Sequence, residues 1–170
     1  MRLKRHMRRV GLALPCAALA LAWACAGLTG GPQRAAAQTM TLGLAAQTTP
    51  DMRQLTVTLH AADCASLHQL ACRIAYNPRA LRFNTASRSE LVDSRAVFFS
   101  TAKGEGYVPV AFTYHPGEAI PAASGAVATL TFDVLDPAAD TGIVLIDDEQ
   151  FLIARDGARR SLHVRLGVQK

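Results

Sequence analysis

The chain predicts an all-β fold, an antiparallel sandwich of about nine short strands, on three observations. Apolar and polar residues alternate over many short stretches, turn residues recur every 8–15 positions, and no long amphipathic helix interrupts them. Period-two alternation puts one side of a strand into a core and the other against water, so stacking two such sheets buries both apolar faces.

The expected strands follow in order. Residues 40–45 and 55–60 open the series; in the second, Leu55, Val57 and Leu59 alternate with Thr56, Thr58 and His60, and Thr49-Pro50-Asp51 supplies the turn between them. In 70–76, Leu70, Cys72, Ile74 and Tyr76 alternate inward and leave Arg73 outward, before Asn77-Pro78 ends the run. Strands 81–85 and 96–101 come next, and the adjacent Phe98 and Phe99 must point to opposite faces. Lys103-Gly104-Glu105-Gly106 reads as a hairpin turn into 107–114, where Val108, Val110, Phe112 and Tyr114 share the core side. In 126–135, Ala128, Leu130, Phe132 and Val134 face inward, with Thr129, Thr131 and Asp133 outward. Strands 143–153 and 162–168 complete the set, the last alternating Leu162, Val164, Leu166 and Val168 with polar residues. The Ala-, Leu- and Gln-rich stretch 61–71 tolerates a helical turn.

Residues 1–38 read as a secretion signal. Arg2, Lys4, Arg5, Arg8 and Arg9 precede an apolar run from Val10 to Leu28, and Ala35-Ala36-Ala37 supplies the small residues a signal peptidase requires. The run approaches the length of a membrane span, but Pro15 and the glycines oppose a retained anchor, so no stable span is expected after cleavage. Lipidation at Cys25 is the other reading of the leader, opposed by Trp23 two residues before it.

The leader takes six of the 18 Lys and Arg residues, so residues 39–170 carry twelve cations against 13 acids. That near-neutral balance removes the main argument for a nucleic-acid partner, which requires a concentrated basic face. Only Arg155, Arg159, Arg160 and Arg165 cluster, and a solvated turn accounts for them. Residues 39–170 suit one domain, secreted, periplasmic or at the cell surface. Cys64 and Cys72 form an isolated pair there, for which a disulfide is the default in an oxidising compartment.

The segment Ala75-Tyr76-Asn77-Pro78-Arg79-Ala80-Leu81-Arg82-Phe83 resembles the Tyr-Asp-Pro-x-x-Leu-x-Phe/Val signature of cohesin and cohesin-like domains. Residues 125–134, Gly-Ala-Val-Ala-Thr-Leu-Thr-Phe-Asp-Val, are similar to that family's late Gly-x-Leu/Val-Ala-x-Leu/Ile-x-Phe-x-Val strand. The order of the two elements also fits over most of residues 40–168. The resemblance implies a nine-strand jelly roll that is not an enzyme and binds a protein with one exposed sheet face; in cohesins proper the partner is a dockerin module. Arg73, Asn77, Thr129, Thr131 and Asp133 are the outward residues expected to meet such a dockerin-like or surface-assembly partner. The chain departs from the pattern at Asn77, where Asp is usual and its charge can help hold the partner.

Other chemistries find less support. His60, Cys64, His68 and Cys72 recur every four residues and carry zinc-ligating atoms, but a strand-loop-strand path scatters them. Asp147, Asp148, Glu149 and Asp156 fit no calcium-loop spacing. Gly104-Glu105-Gly106 lacks the third glycine of a dinucleotide loop, and no nucleophile elbow or metalloprotease motif occurs. No cofactor is expected. The rival function is a carbohydrate-binding module that stacks polysaccharide on exposed rings, for which Tyr107, Tyr114, Phe98 and Phe99 are the available aromatics.

Overall fold

The computed structural model describes residues 38–101 and 106–167. Within them the strands are β1 (Thr39–Thr48), β2 (Gln54–Ala62), β3 (Leu67–Ala75), β4 (Leu81–Arg88), β5 (Val97–Ser100), β6 (Tyr107–Thr113), β7 (Gly125–Val134), β8 (Val144–Leu145), β9 (Ile153–Asp156) and β10 (His163–Leu166). No helix occurs among the described residues. One sheet has the order β10-β1-β2-β7-β4; the other has β5-β6-β3-β8, with β9 also paired to β3. The leader expected over residues 1–38, with Cys16, Cys25 and Trp23, lies outside the described residues except for Gln38, as do Lys103, Gly104, Glu105 and Val168.

The alternation read in the sequence builds the core. Met40, Leu42, Val57, Leu59, Leu130 and Phe132 point inward from one sheet, and Leu70, Ile74, Val108 and Val110 from the other, all fully buried. Phe132 stands at the centre, its ring 5.3 Å from Tyr76 and 5.7 Å from Phe83 between centroids, the tilted and edge-on contacts that aromatic quadrupoles favour. A bulge between Leu59 and His60 of β2 leaves Val127 as an extra residue in β7, so Val127 and Ala128 are both buried.

The structure departs from the expected strands in three places. The expected strand 143–153 is two strands, β8 and β9, because residues 146–152 leave the sheet as a loop and rejoin the same edge of β3; the described residues thus hold ten strands where nine were expected. The sandwich is also not wholly antiparallel: β10 runs parallel to β1, pairing Thr39 with His163 and Leu42 with Leu166. Residues 61–71 form no helical turn; β2 continues to Ala62, Asp63 and Ser66 adopt positive φ in the turn, and β3 starts at Leu67.

The Cys64–Cys72 disulfide is corrected as well, since both are free, buried thiols. The Cys64 carbonyl accepts from Leu67 N–H at 3.0 Å, at the first residue of β3, and Cys72 lies five positions further along that strand. At ~3.3 Å of rise per residue the Cα atoms are on the order of 15 Å apart, about twice what a disulfide spans. The Cys64 thiol instead donates to the Ala123 carbonyl at 3.1 Å.

Candidate binding face

The two sheets turn chemically different faces outward. On the β10-β1-β2-β7-β4 sheet, Thr131 lies between Thr56 and Thr85, and Thr129 between Thr58 and Ser87, a ladder of short hydroxyl side chains. Two polar pairs on this face are bonded. Thr129 Oγ1 shares a 2.9 Å hydrogen bond with Ser89 Oγ, and Arg82 donates to Asp133 Oδ2 from Nη2 at 2.8 Å and Nε at 3.3 Å.

The β5-β6-β3-β9 face carries an apolar row across its whole width. Phe99 pairs with Ala111, Ala111 with Ala71, and Ala71 with Ile153, one continuous row over four strands. Parallel to it run Arg73 opposite Pro109, and Ala75 between Tyr107 and Val144. Phe99, Val97 and Val144 are 55%, 59% and 51% exposed, so large apolar side chains stand in water around a floor of alanines. The small floor lets a partner backbone approach closely while the taller side chains supply buried area.

Arg73 is built into this face. Its guanidinium carbon lies 3.2 Å from the Phe151 ring centroid and 4.8 Å from that of Tyr107. The loop between β8 and β9 brings Phe151 there. Ile146 N–H donates to the Arg73 carbonyl, and Asp148 winds the loop by accepting from Gln150 N–H on its side chain and from Phe151 and Leu152 N–H on its carbonyl.

The five residues expected to meet a partner therefore do not form one surface. Thr129, Thr131 and Asp133 lie on the outer face of one sheet and Arg73 on the outer face of the other. Asn77 belongs to neither: its Nδ2 donates to the Asp140 carbonyl at 2.9 Å, and its Oδ1 accepts from Arg79 N–H at 3.0 Å. An aspartate at position 77 would lack the Nδ2 donor, so the departure from the cohesin pattern has a local structural use. Gly142 abuts this site at φ +60°, where a Cβ would come within 3.2 Å of Asn77 N.

Sequence reasoning missed Phe99, Ala71, Ala111, Pro109 and Ile153 as a surface. The signal was a break in alternation, since the outward positions of β3 and β6 hold Ala, Pro and Tyr where those of β2 and β7 hold Thr.

The four residues spaced by four are dispersed: His60 is exposed on the threonine-rich sheet, Cys72 faces the core, and His68 is buried with Nδ1 2.7 Å from the Glu118 carbonyl. Among the described residues, no three His, Cys, Asp or Glu are grouped to hold a metal ion. Asp156 Oδ1 accepts from Ala158 and Arg160 N–H, and Oδ2 accepts from Arg160 Nε at 2.7 Å. The Arg160 N–H above all holds the Asp156 carboxyl below the ordinary carboxylate range.

No protein-family model matches the chain, and no curated protein matches its sequence. Solved structures do match in fold. The sixth cohesin of scaffoldin B from Acetivibrio cellulolyticus, solved in complex with a dockerin mutant, superposes with a TM-score of 0.65 at 12% identity, over 77% of this chain and 96% of that one. A Clostridium acetobutylicum cohesin solved in solution gives 0.61 at 17% identity over 77% and 87%, and a non-cellulosomal cohesin from Archaeoglobus fulgidus gives 0.57 at 12% over 75% and 86%. The two-sheet architecture and the match to these neighbours make the described residues a cohesin-like β-sandwich, the fold of the cohesin modules.

Proposed function

We propose that the chain is an exported, non-catalytic protein-binding module that docks a dockerin-type or envelope-assembly partner on the outer face of the β5-β6-β3-β9 sheet. The observation that carries this reading is the asymmetry of the outer faces. One is a ladder of threonines, and the other carries an apolar row, Phe99-Ala111-Ala71-Ile153, whose edge residue Phe99 is 55% exposed. Interfaces draw their energy from such a desolvated apolar centre with aromatic anchors. The similarity to a cohesin solved with a dockerin supports a partner of that type. The basic and apolar leader with its alanine-rich end supports export. The polysaccharide alternative would use a row of exposed rings; among the described residues Phe99 alone stands as a strongly exposed aromatic, and no observation favours sugar over protein.

Affinity capture from the native envelope tests the proposal, with three full-length baits: the unchanged chain, Phe99→Asp and Ser87→Asp. Both substituted positions lie on edge strands, β5 and β4, of opposite sheets. A protein retained by the first and third baits and lost from the second is the expected result. Loss with Ser87→Asp and retention with Phe99→Asp contradicts it.

A further inference from the structure

At one end of the apolar face a cavity of about 230 Å³ is lined by His68, Gln69, Thr113, Tyr114, Pro116, Arg155 and Arg159. It is continuous with the face, because Val97, Thr113, Gln69 and Arg155 are successive cross-strand neighbours over β5, β6, β3 and β9. Arg155 and Arg159 border it, and neither makes an ion pair among the described residues.

Neither Asp156 nor Glu118 pairs with these arginines. Asp156 accepts from Ala158 and Arg160, and Glu118 directs Oε1 at Arg95, 3.7 Å away, with Oε2 buried and without a hydrogen-bond partner among the described residues. The turn that presents the arginines is pre-set. Asp156 N–H donates to the Arg160 carbonyl, Arg159 N–H to the Asp156 carbonyl, Gly157 N–H to Ser66, and Arg159 is held at φ +62°. A positive φ at a non-glycine residue is uncommon and persists only where surrounding bonds impose it. His68, 93% buried by its 7% exposure, forms part of the wall, with Nδ1 engaged by the Glu118 carbonyl and Nε2 without a hydrogen-bond partner among the described residues.

We propose that this pocket receives a carboxylate presented by the docked protein, an acidic side chain or chain terminus, held by Arg155 and Arg159. This rests on the docking reading above. The volume falls below the ~300–1,000 Å³ of small-molecule sites and suits one protruding side chain. Guanidinium forks match a carboxylate in two-point geometry, and Gln69 adds an amide donor beside them. A charged contact at the rim of an apolar docking face sets orientation and speeds encounter more than it adds affinity.

The test needs no identified partner. The ¹⁵N-labelled full chain is titrated with N-acetyl-glutamate methylamide, with the isosteric glutamine compound, and with inorganic phosphate, in the unchanged protein, in Arg155→Gln/Arg159→Gln, and in Arg79→Gln as a surface control. Saturable shifts at His68, Gln69 and Thr113 with the glutamate probe are expected, absent with glutamine, about tenfold weaker in the double variant and retained in the control. Equal response to glutamine, or indifference to the double substitution, overturns the proposal. So does a response to phosphate without one to glutamate. A silent pocket together with Phe99-dependent capture overturns the pocket alone; a responsive pocket with capture indifferent to Phe99→Asp overturns the docking reading alone.

Discussion

The guanidinium carbon of Arg73, on β3, lies over the Phe151 ring at 3.2 Å from its centroid, and this contact ties the β8–β9 loop to the outer face. Stacking of this kind at a partly exposed site contributes about 0.5–1 kcal/mol. A double-mutant cycle of Arg73→Ala and Phe151→Ala, followed by urea unfolding, is expected to return a coupling of that size. Arg73→Lys, which loses the planar fork, should recover less than half of it.

Asn77→Asp is expected to destabilise the domain by about 1 kcal/mol in the same assay, although it restores the residue usual in cohesins. The cause is loss of the Nδ2 hydrogen bond to the Asp140 carbonyl and the approach of a carboxylate to that oxygen. Asn77→Asp that leaves stability unchanged would mean that the turn at 140–142 holds without this bond.

Cys64 and Cys72 remain thiols. Burial pushes the Cys72 thiol up to about 12 and also raises Cys64, so neither is a thiolate at neutral pH. Alkylation of the native protein is expected to be slow at both and complete in denaturant. The unreduced mass should show no loss of two hydrogens, and reductant should leave the thermal midpoint unchanged. Cys72→Ser buries an unpartnered hydroxyl, at a cost of about 1–3 kcal/mol.

The turn that carries Arg159 is acid-sensitive through Asp156. Its folded-state pKa is depressed, chiefly by the Arg160 N–H, so the stabilisation it provides is present above its unfolded value of about 3.9 and is lost as pH falls through the lower folded value. The amide shifts of Ala158 and Arg160 should therefore titrate together below about pH 4. Asp156→Asn should abolish that titration.

The sequence made the strands legible wherever one face is buried and the other wet. Leu130 and Phe132 against Thr129 and Thr131 show this, and Tyr114 and Phe112 were recognisable as core on the same basis. Alternation does not say which sheet a strand joins. Arg73 and Thr131 therefore read alike as outward residues, although they occupy opposite outer faces. The bulge that buries Val127 and the loop that divides β8 from β9 depend on partner strands far along the chain, and neither leaves a local mark. Cys64 and Cys72 were close in sequence, but the extended run of β3 separates them, a distance that spacing in a list of cysteines does not carry.

Footprinting of the captured complex with hydroxyl radicals tests the docking face most directly, because it reads side-chain exposure on both sheets at once. Phe99, 55% exposed when free, is expected to lose its labelling on partner binding, while His60, on the outer face of the other sheet, keeps its own. Unchanged labelling of Phe99 with protection of His60 would contradict the assignment of the face.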